Sequence, residues 1–257
     1  MENMELSSEE RELRMKQIRC DMYNRTREEP KEVPCELCMN RGFFMRLRPN
    51  GYEYLVPCQC QNIHATRRSL EASGMRELFE RHDFPSFREH SPWAKTMKQK
   101  ALHWAKEGSG WLLLCGQPGT GKTHLALAAC GYRLGRQNQR VEFLPWREFV
   151  KVQMDIDHPQ RASQMEKMKQ AKLLYIDDLF KTAGDKKSNL GWEADIAFEL
   201  INYRYNNRLD TVITTERGTD ELLGIDEAIG SRILEMAGEH AVTVEKGAGK
   251  NYRLRTN

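Results

Sequence analysis

"GWLLLCGQPGTGKTHLALAAC", residues 110–130, decides the fold. Its first seven residues are an unbroken apolar run of strand length, and its last ten repeat apolar positions at helical spacing. Between them Gly116, Gln117, Pro118, Gly119, Thr120, Gly121, Lys122 and Thr123 match the phosphate-loop pattern G-x-x-x-x-G-K-[ST] at every fixed position. Glycines there let backbone N–H groups turn toward phosphate oxygens, Lys122 reaches the β and γ phosphates, and the Thr123 hydroxyl joins a Mg²⁺ shell. A chance glycine-rich turn would lack the strand before it and the helix after it. The reading is a site for ATP and Mg²⁺ at residues 116–124, with His124 closing the segment.

Outward from this stretch the chain alternates strand and helix. "RVEFLPW" (140–146), "AKLLYIDDL" (171–179) and "DTVITTE" (210–216) read as strands, and "REFVKVQMD" and "WEADIAFELINYRYNNR" as helices between them. Strands separated by helices of that length predict a parallel sheet covered on both faces, an α/β fold. Asp177 and Asp178 end an apolar run that arrives 55 residues after Lys122. This strand is expected beside the phosphate-loop strand, with Asp177 on Mg²⁺ and Asp178 orienting or deprotonating the attacking water. The reaction class is then ATP hydrolysis, which needs positioning and charge neutralisation more than covalent chemistry. Thr214, Thr215 and Glu216 end another strand where a hydrolysis sensor belongs. Arg232, in "IGSRILEM", is a candidate arginine finger given to a neighbouring copy's nucleotide, which would make hydrolysis depend on self-association.

The N-terminal side has a different texture. Residues 6–29 read as a charged helix that opens at Ser7 and Ser8 ahead of Glu10 and ends at Pro30. A "PNG" turn at 49–51 then marks a short hairpin flanked by Cys35, Cys38, Cys58 and Cys60. Four thiols in two close pairs suit a tetrahedral structural zinc site, with His64 in reserve for one position. A segment too small for a core of its own would gain on the order of 10 kcal/mol of folding energy from the metal. These features divide the chain into a zinc-binding unit, 1–72, and an ATPase, 73–257.

Composition excludes more than it assigns. The 257 residues are 39% hydrophobic and 30% charged with a net charge of +3, and no apolar run approaches the roughly 20 residues of a membrane span. The clustered cysteines fit a reducing cytosol better than a secreted disulfide scaffold. The mild basic excess allows nucleic-acid contact without requiring it; candidate residues are Lys181, Lys186, Lys187, Arg133 and Arg136.

"LLLCGQPGTGKTHLALAA", "LLYIDDLFK", "FELINYRYNNRLDTVITTE", "AIGSRILEM" and "VTVEKGAGKNYRLR", in this order, resemble the DnaC/DnaI-type replicative helicase loaders, AAA+ ATPases of the IstB-like superfamily. The likeness begins near residue 75, where "HDFPSFREH" resembles the aromatic linker that leads into their ATPase core. It implies an ATP-driven spiral of subunits that grips single-stranded DNA and opens or holds a hexameric ring helicase, docked by the N-terminal unit. It also implies that Arg232 is the trans-acting arginine and that Asp178, shorter than the usual glutamate, gives slow turnover. Glu216 falls on a sensor position where asparagine is common, and a carboxylate there repels a γ-phosphate unless it binds water, a metal or a nearby cation. The 25 residues after Arg232 are too few for the helical lid domain of typical AAA+ proteins. IstB-like transposition ATPases share nearly the whole ATPase region, which leaves that reading open, as it does a zinc-dependent nucleic-acid-binding adaptor with a weak nucleotide switch.

Overall fold

In the computed structural model, which describes residues 7–29, 34–181 and 190–254, the chain forms two compact units, Met1–Ala65 and Thr66–Asn257. The first unit holds helix α1 (Ser8–Arg25) and the hairpin β1 (Phe43–Leu47) and β2 (Glu53–Pro57). A capping box starts α1: the Ser7 hydroxyl accepts from the Glu10 N–H, and the Glu10 carboxylate accepts from the Ser7 N–H. The helix ends at Arg25, earlier than expected, because Thr26 is extended; Pro30, the expected stop, lies outside the described residues. Asn24 then brackets Met45 of β1, donating to its carbonyl at 2.9 Å and accepting from its N–H at 2.8 Å.

The second unit is a five-stranded parallel sheet in the order β4 (Val141–Pro145), β5 (Leu173–Asp177), β6 (Asp210–Thr215), β3 (Trp111–Gly116), β7 (Ala241–Val244). Side chains alternate across it as the pleat requires. Leu112 and Leu114 of β3, with Leu173 and Tyr175 of β5, join a core with α4 (Pro92–Glu107) and α5 (Lys122–Gln137). Trp111, Leu113 and Cys115, with Leu174 and Ile176, face the other core. That core is built by α6 (Trp146–Met154), α7 (Arg161–Gln170), α8 (Leu190–Asn206) and α10 (Glu227–Ala237). Both faces are covered, which is why β3 reads as a continuous apolar run. Among the described residues no helix is long and apolar enough to cross a membrane.

One expectation about order fails: β5 is not beside the phosphate-loop strand, because β6 lies between them. The boundary also falls earlier than residue 72, inside α2 (Cys60–Ala72). The cause is local: β4 is an edge strand, and Thr66 and Ser69 accept hydrogen bonds from the N–H groups of Val141 and Phe143, at 3.0 and 2.9 Å. The second half of α2 thereby seals that edge and belongs to the sheet.

Two arginines are spent on this architecture. Arg133, a candidate for DNA contact in the sequence, is buried; it pairs with Asp210 at 2.8 Å, donates to the Trp104 carbonyl and stacks on the Trp104 ring. It is a core residue, unlike Arg136, which is exposed. Arg204, from "INYRYNNR", is fully buried and donates to the carbonyls of Met168, Lys169, Ala171 and Asp210 and to the Thr211 hydroxyl. It thus ties the C-terminal end of α7 to the start of β6. Arg204→Ala orphans several buried acceptors at once, so chemical denaturation should show a loss of at least about 3 kcal/mol.

Candidate functional site

The phosphate loop leaves the C-terminal end of β3 and enters α5, and its backbone is left-handed at Gly119 (φ 79°) and Gly121 (φ 85°). Neither position admits a side chain. A Cβ on Gly121 would stand 2.6 Å from the Phe87 ring, and one on Gly119 would collide with the side chain of Asn251. Lys122 is buried and donates to its own loop, to the Gly116 carbonyl at 2.7 Å and the Gln117 carbonyl at 3.2 Å. Burial lowers its pKa, and the nearby carboxylates of Asp178, Glu216 and Asp177 oppose that shift.

Asp177 is the point where three elements meet. Its Oδ1 accepts from Thr123 of α5 at 3.3 Å, from Thr214 of β6 at 2.9 Å, and from the Tyr175 hydroxyl. Burial raises its pKa, while the bonds from Tyr175, Thr214 and Thr123 pull it back down. Thr123 of α5 thus reaches Asp177 directly, and the interposed strand adds a second hydroxyl on the same oxygen. Asp178 follows with a left-handed backbone (φ 56°), held by its N–H on the Thr214 hydroxyl at 3.0 Å and by the Leu179 N–H on the Thr214 carbonyl. For a non-glycine residue this conformation costs on the order of 1–2 kcal/mol. It turns successive acids apart, one into the loop and one toward the cavity.

That cavity, about 590 Å³, adjoins the loop and is lined by Lys122, Thr123, His124, Asp178, Lys181 and Glu216, among others. Its volume suits a nucleotide. A match to the IstB-like ATP binding protein family covers residues 61–257. The chain belongs to the IstB-like ATP-binding proteins. The phage-like element PBSX protein XkdC of Bacillus subtilis (strain 168) is 32% identical over 235 residues, 86% of either chain. The insertion sequence IS21 putative ATP-binding protein of Pseudomonas aeruginosa is 29% identical over 153 residues, 58% of this chain and 54% of its own. Two solved structures share the fold. The DnaC helicase loader matches with a TM-score of 0.54 at 19% identity, over 65% of this chain and 96% of that one. DnaI matches with 0.53 at 18% identity, over 68% and 93%. The second unit therefore has the fold of these proteins, and ATPase activity is expected of its family.

In this IstB-like protein the carboxylate at Glu216 has its cation. Lys181 Nζ lies 2.7 Å from Glu216 and 2.8 Å from Asp178, bridging the two acids beside the cavity. Lys181, read from the sequence as a DNA contact, is instead committed here; Lys186 and Lys187 lie outside the described residues. Thr214 and Thr215 are not free sensors either. Both are fully buried, with the Thr214 hydroxyl on Asp177 and the Thr215 hydroxyl on the Leu179 carbonyl. Arg232 does not line this cavity; its guanidinium lies over the rings of Phe198 and Tyr205 on α8, about 5.5 Å from each, and donates to the Ala228 carbonyl.

Sequence reasoning missed two walls of the site. "HDFPSFREH" was read only as a linker, yet Phe87 lies over Gly121, and His124 bonds the Asp83 carbonyl at 2.8 Å and meets the rings of His82 and Phe87. "GAGKNYRLR" crosses the other side: the Tyr252 N–H donates to the Gly119 carbonyl at 3.0 Å, its ring stacks on Trp93, and Arg253 lines the cavity. The signal was two phenylalanines in the first stretch and one tyrosine in the second. Its target could not be read without the fold.

In the first unit, Cys35, Cys38, Cys58 and Cys60 converge, their sulfurs within 4.8 Å of one another. Cys35 and Cys58 sulfurs are 3.8 Å apart and Cys38 and Cys60 sulfurs 3.6 Å. Four zinc–sulfur bonds of about 2.3 Å at tetrahedral angles place sulfurs about 3.8 Å apart, so this donor set fits zinc. All seven cysteines are free thiols, and His64 is not in the cluster. Burial raises the pKa of Cys58 and Cys60, while at Cys35 hydrogen bonds outweigh burial and lower it. The Gly42 N–H donates to Cys38 Sγ at 3.2 Å, the kind of outer hydrogen bond that steadies a thiolate ligand.

Two outcomes follow. Lys181→Ala leaves Asp178 and Glu216 facing a triphosphate without a cation, so the Kd for ATP should rise about tenfold, and adding Glu216→Ala should recover part of the loss in a double-mutant cycle. Elemental analysis of purified protein should find zinc, and Cys38→Ser should lower it by one equivalent per chain.

Proposed function

We propose that this protein is an ATP-driven loader of a replicative ring helicase onto single-stranded DNA. Lys122 holds the β and γ phosphates, Thr123 and Asp177 hold Mg²⁺, and Asp178 orients the attacking water. Glu216, neutralised by Lys181, is the sensor beside the γ-phosphate. Arg232 completes the site of the next subunit. The observation that carries this reading is the position of Arg232 on α10, against α8 and off the cavity of its own chain. An arginine so placed serves catalysis only across a subunit boundary, which makes hydrolysis a report of assembly.

Support for the choice of assembly comes from two directions. The fold likeness extends over nearly all of a helicase loader's chain. The phage-element relative matches 86% of 257 residues, more than the 192 residues of Thr66–Asn257, so its likeness runs into the cysteine-bearing unit. That unit is the proposed dock for the helicase, with zinc as its structural clasp. A second reading, a helper ATPase of transposition, is favoured by the family match and by the insertion-sequence relative. The two readings share the ATPase cycle and differ in partner. Co-purification with a hexameric helicase supports the first; ATP-dependent coating of duplex DNA without helicase binding supports the second.

The trans site has its own test. Arg232→Ala should bind ATP normally and lose assembly-stimulated hydrolysis by about 10³-fold or more, and Lys122→Ala should not bind ATP. Mixed, the two variants should regain part of the activity, because one supplies an intact loop and the other an intact finger. Normal hydrolysis by assembled Arg232→Ala would end the finger assignment.

A further inference from the structure

At the opposite end of the sheet from the phosphate loop, α4 and the 3-10 turn Gly238–His240 bring two histidines together. The turn precedes β7, which runs parallel to β3, so it lies by the N-terminal ends of the strands whose C-terminal ends carry the nucleotide site. One ring nitrogen each from His103 and His240 and a carboxylate oxygen of Glu239 lie within 4.8 Å of one another. The two rings stand 5.4 Å apart, and a cavity of about 430 Å³ is lined by all three residues and by Glu107.

His240 marks this cluster as more than a surface coincidence. It is 8% exposed, and its Nδ1 is buried with no hydrogen-bond partner among the described residues. A buried polar nitrogen left unpaired costs on the order of 1–3 kcal/mol, whereas a coordinated imidazole recovers that cost through a metal bond. Glu107 Oε2 lies 4.0 Å from Nδ1 of His103, within a small side-chain movement of taking that N–H and fixing the ring. Two imidazoles and one carboxylate are the donors of zinc, cobalt and nickel; calcium and magnesium prefer all-oxygen shells.

We propose that His103, Glu239 and His240 form a divalent-metal site of the zinc class, distinct from the cysteine cluster, with Glu107 orienting His103. An ion there fastens the last turns of α4 to the junction between α10 and β7. Since Arg232 lies five residues before Ala237 on α10, this clasp steadies the helix that carries it. Three protein ligands leave the fourth position to water.

Titration of metal-free full-length protein with Co²⁺ separates the two sites by spectrum. Cobalt on cysteines shows thiolate-to-metal charge transfer, and cobalt on histidine and carboxylate shows only weak ligand-field bands. The expected result is one equivalent without thiolate bands, which His240→Ala and Glu239→Gln each weaken at least tenfold while leaving any thiolate bands intact. Glu239 is exposed, so Glu239→Gln keeps the test open if His240→Ala does not fold. If all bound cobalt carries thiolate bands, or the thiolate-free equivalent binds both variants as tightly as wild type, the site is refuted.

Discussion

The structure turns on one carboxylate. Asp177 ends β5, and the groups that hold it come from β5 itself, from β6 and from the first turn of α5. Burying a carboxylate among apolar strands is costly unless donors surround it, and three hydroxyls do so here. The same bonds fix the relative heights of two strands and a helix at the edge where phosphate is bound. Removing any donor therefore disturbs sheet and site together.

Charge at this edge is arranged in opposition. Asp177, Asp178 and Glu216 face Lys122 and Lys181, and the lysines occupy two different positions. Lys122 is bound to its own loop's carbonyls. Lys181 is bound to the acids, and in the proposed cycle it offsets their repulsion of a γ-phosphate. The positive charges of the site thus differ in where they are directed, and the proposed trans arginine would add charge only at the transition state.

The two units meet different stability problems. Thr66–Asn257 buries two apolar layers against a parallel sheet. Met1–Ala65 has a two-stranded hairpin and a charged helix, and the apolar cluster among its described residues consists mainly of the four cysteines and Phe44. A hairpin of this size is marginal by itself. In the proposed zinc-clasped form, metal coordination supplies that stability.

The sequence by itself determined the strand–loop–helix unit, the α/β class, the acids at Asp177 and Asp178 and the pairing of four cysteines. All rest on spacing within a short stretch, where covalent connection sets geometry. Tertiary structure alone decided that β6 separates β5 from β3, that Arg133 and Arg204 are core residues, and that Lys181 serves Glu216. It also decided that Phe87 and Tyr252, more than 160 residues apart in the chain, wall the same phosphate loop. Strand order and the fate of a charged side chain depend on which distant segments arrive beside it, and no local pattern encodes that.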